Sequence, residues 1–84
     1  MPGEILKSPY VIPQRQDGYY LIRIRSLAGD LRAQELSVIG RVAEKYGKGS
    51  VHITTRQGCE IHNIPLDKLE EAVAELQQAG ILMG

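Results

Sequence analysis

Apolar residues along this chain recur with two different periods. "YYLIRIR", Tyr19 to Arg25, alternates, and alternation predicts a strand with two unlike faces. Tyr20, Ile22 and Ile24 fall on one side, Tyr19, Leu21, Arg23 and Arg25 on the other. From Leu31 to Tyr46 the spacing changes. Leu36, Ile39, Val42, Ala43 and Tyr46 recur three and four apart, with Val38 beside them, which is one face of a helix. Asp30 is the expected N-cap, acidic Glu35 favours the same end, and Gly47-Lys48-Gly49 offers a left-handed stop. Alternation returns in "SVHITTRQGCEIHNIP". Val51 to Gln57 and Cys59 to Ile64 read as two strands joined tightly at Gly58. Pro65 opens a second helix, with Leu66, Leu69, Val73 and Leu76 as its stripe and Asp67, Glu70 and Glu71 at its N-terminal end. Gly80 stops it, and Ile81 packs back on the last turn.

Residues 1–17 hold three of the four prolines. They read as an extended lead-in with a short edge strand around Tyr10 to Ile12. Asp17-Gly18 is a turn signal, and residues 18–84 form the folded unit. The order is β-α-β-β-α, the ferredoxin-like α+β pattern without its last strand. Ile81-Leu82-Met83 stands where that strand would start. A three-stranded antiparallel sheet with two helices on one face leaves the other face open and wants a neighbour. The expected state is therefore an oligomer or one piece of a larger protein. A length of 84 residues is a single small domain.

Charge changes the picture once it is mapped on the strands. Ten Lys and Arg balance ten Asp and Glu, so the total gives no reason to expect nucleic acid or an anionic membrane. The distribution is uneven. With Val51, Ile53, Thr55, Cys59 and Ile61 turned inward, the helix-free face collects Arg23, Arg25, Arg56, His52 and His62 against one acid, Glu60. Seven acids (Asp30, Glu35, Glu44, Asp67, Glu70, Glu71, Glu75) fall in or at the helices. Converging arginines repel unless an anion compensates them, and the guanidinium fork fits oxyanions. Two readings stay open, a solvated sheet face and an anion site. Single-stranded RNA is disfavoured, since Tyr19 is the one outward aromatic on the strands and such sheets stack bases on several.

Other chemistry is constrained by what the chain lacks. Its single cysteine, Cys59, permits no intramolecular disulfide, no cysteine zinc site and no cluster within this chain. Cys59 faces inward and His62 outward, so they form no catalytic couple. His52 and His62 lack helical spacing and a matched carboxylate, so no metal is expected. "YGKGS" lacks the Walker spacing. No signal peptide and no membrane-length apolar run are present; the expected location is cytoplasmic, with no membrane or nucleic-acid partner.

Two motifs together resemble a known family. "LIRIRSLAGDL", followed by a helix ending in "AEKYGKGSVHITTRQGCEIHNI", is similar to the ferredoxin-like half-domain of siroheme-dependent sulfite and nitrite reductases. The similarity runs from about Gly18 to Ile81. It implies a half-domain that pairs with a second one over siroheme, the cofactor being held together with a 4Fe–4S cluster by other domains. Carried over, Arg23, Arg25, Arg56 and Gln57 would bind siroheme carboxylates and the oxyanion substrate, sulfite or nitrite, with His62 a further candidate. In such a reductase the cofactor carries the electrons while the protein neutralises charge and supplies protons. The cluster cysteines and second half-domain are absent from these residues. The expectation is therefore an N-terminal fragment of a reductase or a free-standing relic of one. It would bind no cofactor and catalyse nothing alone, and its partners would be the remaining domains of the reductase or a second copy. The alternative is a stand-alone ligand-binding or dimerisation module.

Overall fold

In the computed structural model, which describes residues 2–25, 31–54 and 58–84, the elements are α1 (Pro2–Ile5), β1 (Val11–Pro13), β2 (Tyr19–Arg25), α2 (Ala33–Tyr46), β3 (Val51–Thr54), β4 (Gly58–Pro65) and α3 (Leu66–Gln78). The strands form one antiparallel sheet in the order β1-β2-β4-β3. Helices α2 and α3 cover one face, mainly over β2 and β4. This is the expected α+β ferredoxin-like architecture, with a fourth strand added. The edge strand anticipated around Tyr10 to Ile12 forms at Val11–Pro13, and α1, which was not anticipated, packs on α3.

The core is built from the positions that alternation and helical spacing turn inward. Ile22, Ile24, Cys59 and Ile61 are buried from the strands, Ile39, Val42, Ala43 and Tyr46 from α2, and Leu69, Val73 and Leu76 from α3. Tyr46 and Lys45 both donate to the Glu75 carboxylate, tying α2 to α3. Ile64 is also fully buried, three residues after Ile61, which strict alternation forbids. The register explains it. Tyr20 pairs with Ile64 but Ile22 with Ile61, so Leu21 faces two residues, His62 and Asn63. That is a β-bulge. Asn63 takes the left-handed conformation the bulge demands, φ 65°, and its N–H donates to Gln14 Oε1 at 2.6 Å. Asparagine tolerates that region better than most residues.

The chain ends meet along one side of β2. β1 pairs with Tyr20 to Ile22. Beyond it, the Arg25 N–H donates to the Leu82 carbonyl (2.9 Å) and the Gly84 N–H to the Arg23 carbonyl (3.2 Å), with Met83 bridging Ile24. Ile81-Leu82-Met83, where the last strand of the pattern would start, forms no strand of its own and meets the sheet only by that isolated bridge at Met83. Ile81 is buried and its N–H reaches the Leu76 carbonyl, as expected of the residue after the Gly80 stop. At the end of α2 the left-handed residue is Gly49, φ 81°; its N–H and that of Gly47 both reach the Ala43 carbonyl.

Several expected details are corrected. α2 begins at Ala33, with extended Arg32 before it. The Arg32 N–H donates to Glu35 Oε1 at 2.9 Å, so Glu35 satisfies the helix start; Asp30 lies outside the described residues. Leu36 and Leu66 are exposed rather than core, because each sits in the first turn of its helix, beyond the stripe that meets the sheet. Ile53 is 79% exposed. Alternation puts it opposite buried Cys59, but β3 is the outermost strand and α2, which touches it, leaves Ile53 uncovered.

β3 is described over Val51–Thr54 of the expected Val51 to Gln57 strand. Thr54 pairs with Gly58, so Gly58 is already a strand residue, and residues 55–57 lie outside the described residues. Gly58 sits against β2 so closely that a Cβ would stand 2.3 Å from the Ile24 carbonyl oxygen. That atom belongs to the central backbone and cannot move cheaply. Gly58→Ala is expected to lower stability by about 2–4 kcal/mol; a urea midpoint unchanged from the parent would contradict this close approach.

Candidate functional site

On the helix-free face the register sets side chains in rows. Arg23 pairs with Glu60, and Glu60 with His52; one step along, Arg25 pairs with Gly58, and Gly58 with Thr54. Gly58 has no side chain, so the second row has a gap between Arg25 and Thr54. A groove of about 570 Å³ opens there, lined by Arg23, Ile24, Arg25, Thr54, Gly58, Glu60 and Gly84. Both strand arginines thus line one concavity whose middle is glycine. Arg25 is exposed and Arg23 half-exposed.

Glu60 is the acid of this face, and it has two basic partners. Arg23 Nε–H donates to Glu60 Oε2 at 3.4 Å, and His62 Nε2 lies 2.9 Å from Glu60 Oε1. The expectation that the histidines lack a matched carboxylate is therefore corrected for His62. The cause is simple: Glu60 and His62 are two apart on one strand and share a face. His62 also stacks on His52 across β3 and β4, ring centroids 3.9 Å apart and planes within 6°. Arg23, Glu60, His62 and His52 thus run in one connected line. The His62 hydrogen bond, followed by the hydrogen bond and charge of Arg23, holds the Glu60 carboxyl below its ordinary value despite partial burial. On the opposite side Cys59 is fully buried, and burial pushes its thiol up, which removes it as a nucleophile.

Comparison with known proteins decides the lineage. Residues 12–79 match the family model described as the nitrite/sulfite reductase ferredoxin-like half domain.

The chain belongs to that family.

It is 35% identical over 74 residues to the coenzyme F420-dependent sulfite reductase of Methanocaldococcus jannaschii, which covers 87% of this chain and 12% of that protein. It is 30% identical over 75 residues to the assimilatory ferredoxin-dependent nitrite reductase of Haloferax mediterranei (88% of this chain, 13% of that protein). The chloroplastic ferredoxin–nitrite reductase of Spinacia oleracea is 31% identical over 65 residues (77% and 11%). The chain therefore spans about an eighth of the length of these relatives. Among its described residues no helix is long and apolar enough to cross a membrane.

Of the residues the half-domain resemblance singled out, Arg23 and Arg25 come together in the groove, and His62 sits behind it through Glu60. Arg56 and Gln57 lie outside the described residues. Sequence pattern presents Glu60 only as the one acid of the face; its i, i+2 relation to His62 and its place opposite the Arg-x-Arg strand are the signals that would find it.

The lowered Glu60 carboxyl gives a signed pH dependence. A group whose folded value is depressed contributes stability above the ordinary carboxylate range, and that contribution disappears as pH falls through the folded value. Glu60→Gln is expected to flatten the acid side of the stability profile below about pH 4.3. Glu75, also held low by Lys45 and Tyr46, is present in both proteins and drops out of the difference. Parallel acid limbs in thermal melts of parent and variant would show that Glu60 is not held by these partners.

Proposed function

We propose that this chain is the part of a siroheme- and iron–sulfur-dependent sulfite or nitrite reductase that presents arginines to the cofactor's carboxylates and to the oxyanion substrate. The observation that carries the reading is the groove in which Arg23 and Arg25 converge over a side-chain-free floor, in a chain of the nitrite/sulfite reductase half-domain family. The donor set fits the anionic groups: guanidinium forks stay charged at working pH and pair with carboxylate or sulfite oxygens two bonds at a time. Arg23 and Arg25, with Arg56 and Gln57 from the segment after β3, would hold those groups. Siroheme with its cluster supplies the electron chemistry when bound. This chain's own residues neutralise negative charge, orient the oxyanion and keep the Glu60–His62 pair within reach as a proton reserve.

In this reading the partners are the remaining domains of the reductase, or a second copy of the chain, and the cluster ligands come from outside these residues. Sulfite and nitrite each appear in the names of relatives, and the arginine groove suits either oxyanion.

The test is a graft. This chain would replace the matching 74-residue segment of the F420-dependent sulfite reductase, and siroheme absorbance and sulfite turnover would be measured. The graft is expected to retain cofactor. Arg25→Ala and Arg56→Ala in it should each cut turnover by about a hundredfold or more, the scale of losing a charged donor at a developing anion. Near-normal turnover in both variants would refute the assignment.

A further inference from the structure

Glu60 is a carboxylate set beside an arginine groove, and its presence there calls for a reason. A fixed negative charge next to Arg23 weakens the groove's hold on any anion. Among the described residues, the charged and titratable groups that face Glu60 are Arg23 and Arg25 from β2, His52 from β3 and His62 from β4; the helices lie on the other face of the sheet. Arg23 holds Glu60 by one long contact, 3.4 Å from Nε, while His62 holds it at 2.9 Å. The arginine contact is the looser of the two and opens on the groove. The histidine contact is braced from behind by the parallel face of His52 at 3.9 Å.

Resting on the anion-site reading above, we propose that Glu60 is the built-in counter-ion of the groove: it holds Arg23 until an entering anion displaces it, and the Glu60–His62 pair then takes up a proton, so that anion binding and protonation are linked. The anion and the Glu60 carboxylate would otherwise stand as two negative charges sharing Arg23. A proton held between Glu60 Oε1 and His62 Nε2 cancels one of them. The His52 ring can back one imidazolium with its π face, whereas two stacked imidazolium rings would repel. The pair therefore accepts a single proton. By linkage, anything that binds more tightly when a proton is taken up binds more tightly as pH falls. Glu60 acts through Arg23 and His62 rather than on the anion directly, so it is a positioning residue.

The probe is sodium nitrite, whose charge stays constant where histidine titrates. The 84-residue chain, labelled with ¹⁵N, is titrated at constant ionic strength near pH 6 and near pH 8, following the Arg23 Nε–H and His62 ring resonances. In the parent, nitrite is expected to bind about tenfold tighter at the lower pH and to shift the Arg23 signal. Glu60→Gln should bind about tenfold tighter than the parent at the higher pH and lose most of the pH dependence. Glu60→Asp should keep it. His62→Gln, which leaves the arginine contact in place, should abolish it, and that arm stands even where Glu60→Gln compromises folding. Equal affinity and equal pH dependence in the parent and the folded variants would overturn the counter-ion role while leaving the anion site standing. Absence of nitrite binding to parent and variants at both pH values would overturn the anion site and the counter-ion role together.

Discussion

The antiparallel pairing of β2 with β4 is the constraint on which the rest of this structure depends. It places Ile22 and Ile24 against Cys59 and Ile61 in the core, and it sets Arg23 opposite Glu60 and Arg25 opposite Gly58 on the other side. A slip of one residue would turn every one of these side chains over. Two features hold the register. At one end the His62–Asn63 bulge absorbs an extra residue, so that Ile64 can return to the core. At the other, the backbone approach at Gly58 allows only glycine. The apolar face and the charged face are thus products of the same hydrogen-bond ladder, and neither can be altered without the other.

Much of this was legible in the order of residues. Alternation in "YYLIRIR" and the three- and four-residue spacing in both helices are strong local signals, and they placed the core correctly at Ile22, Ile24, Ile39, Val42, Leu69 and Leu76. They also put Arg23, Arg25 and His62 on the uncovered face. What local pattern does not carry is where neighbouring elements stop. Ile53 has the alternation of a buried residue, but its exposure depends on how far the helices reach. Leu36 has the spacing of a core residue, but its helix starts at Ala33 and the first turn lies outside the packed stripe. Ile64 needed the bulge, which is visible only once two strands are aligned.

The site shows the same division. The resemblance to the reductase half-domain and the Arg-x-Arg alternation together pointed to the groove. The link from Arg23 through Glu60 to the stacked histidines depends on cross-strand neighbours, Arg23 with Glu60 and Glu60 with His52, which no single segment contains. A face that counted as a cluster of bases around one acid on paper is instead, among its described residues, an ordered line of donors and acceptors. Its electrostatics follow from which base each carboxylate oxygen meets, and the face total says little about that.

The side of β2 away from β4 is shared by two segments of very different sequence distance. Val11 finds Ile22 across a loop of about ten residues, whereas Met83 finds Ile24 only after about sixty. Closing the longer loop costs more chain entropy and cannot be rewarded until the intervening helices and strands are in place. Of the two segments, the one that carries Gly84 is therefore the costlier in chain entropy to bring to β2. Amide exchange at Arg25, whose N–H is held by the Leu82 carbonyl, reads that pairing separately from the pairing of β1. One wall of the groove is thus joined to the sheet by the most distant pairing in the chain order that β2 makes on that side.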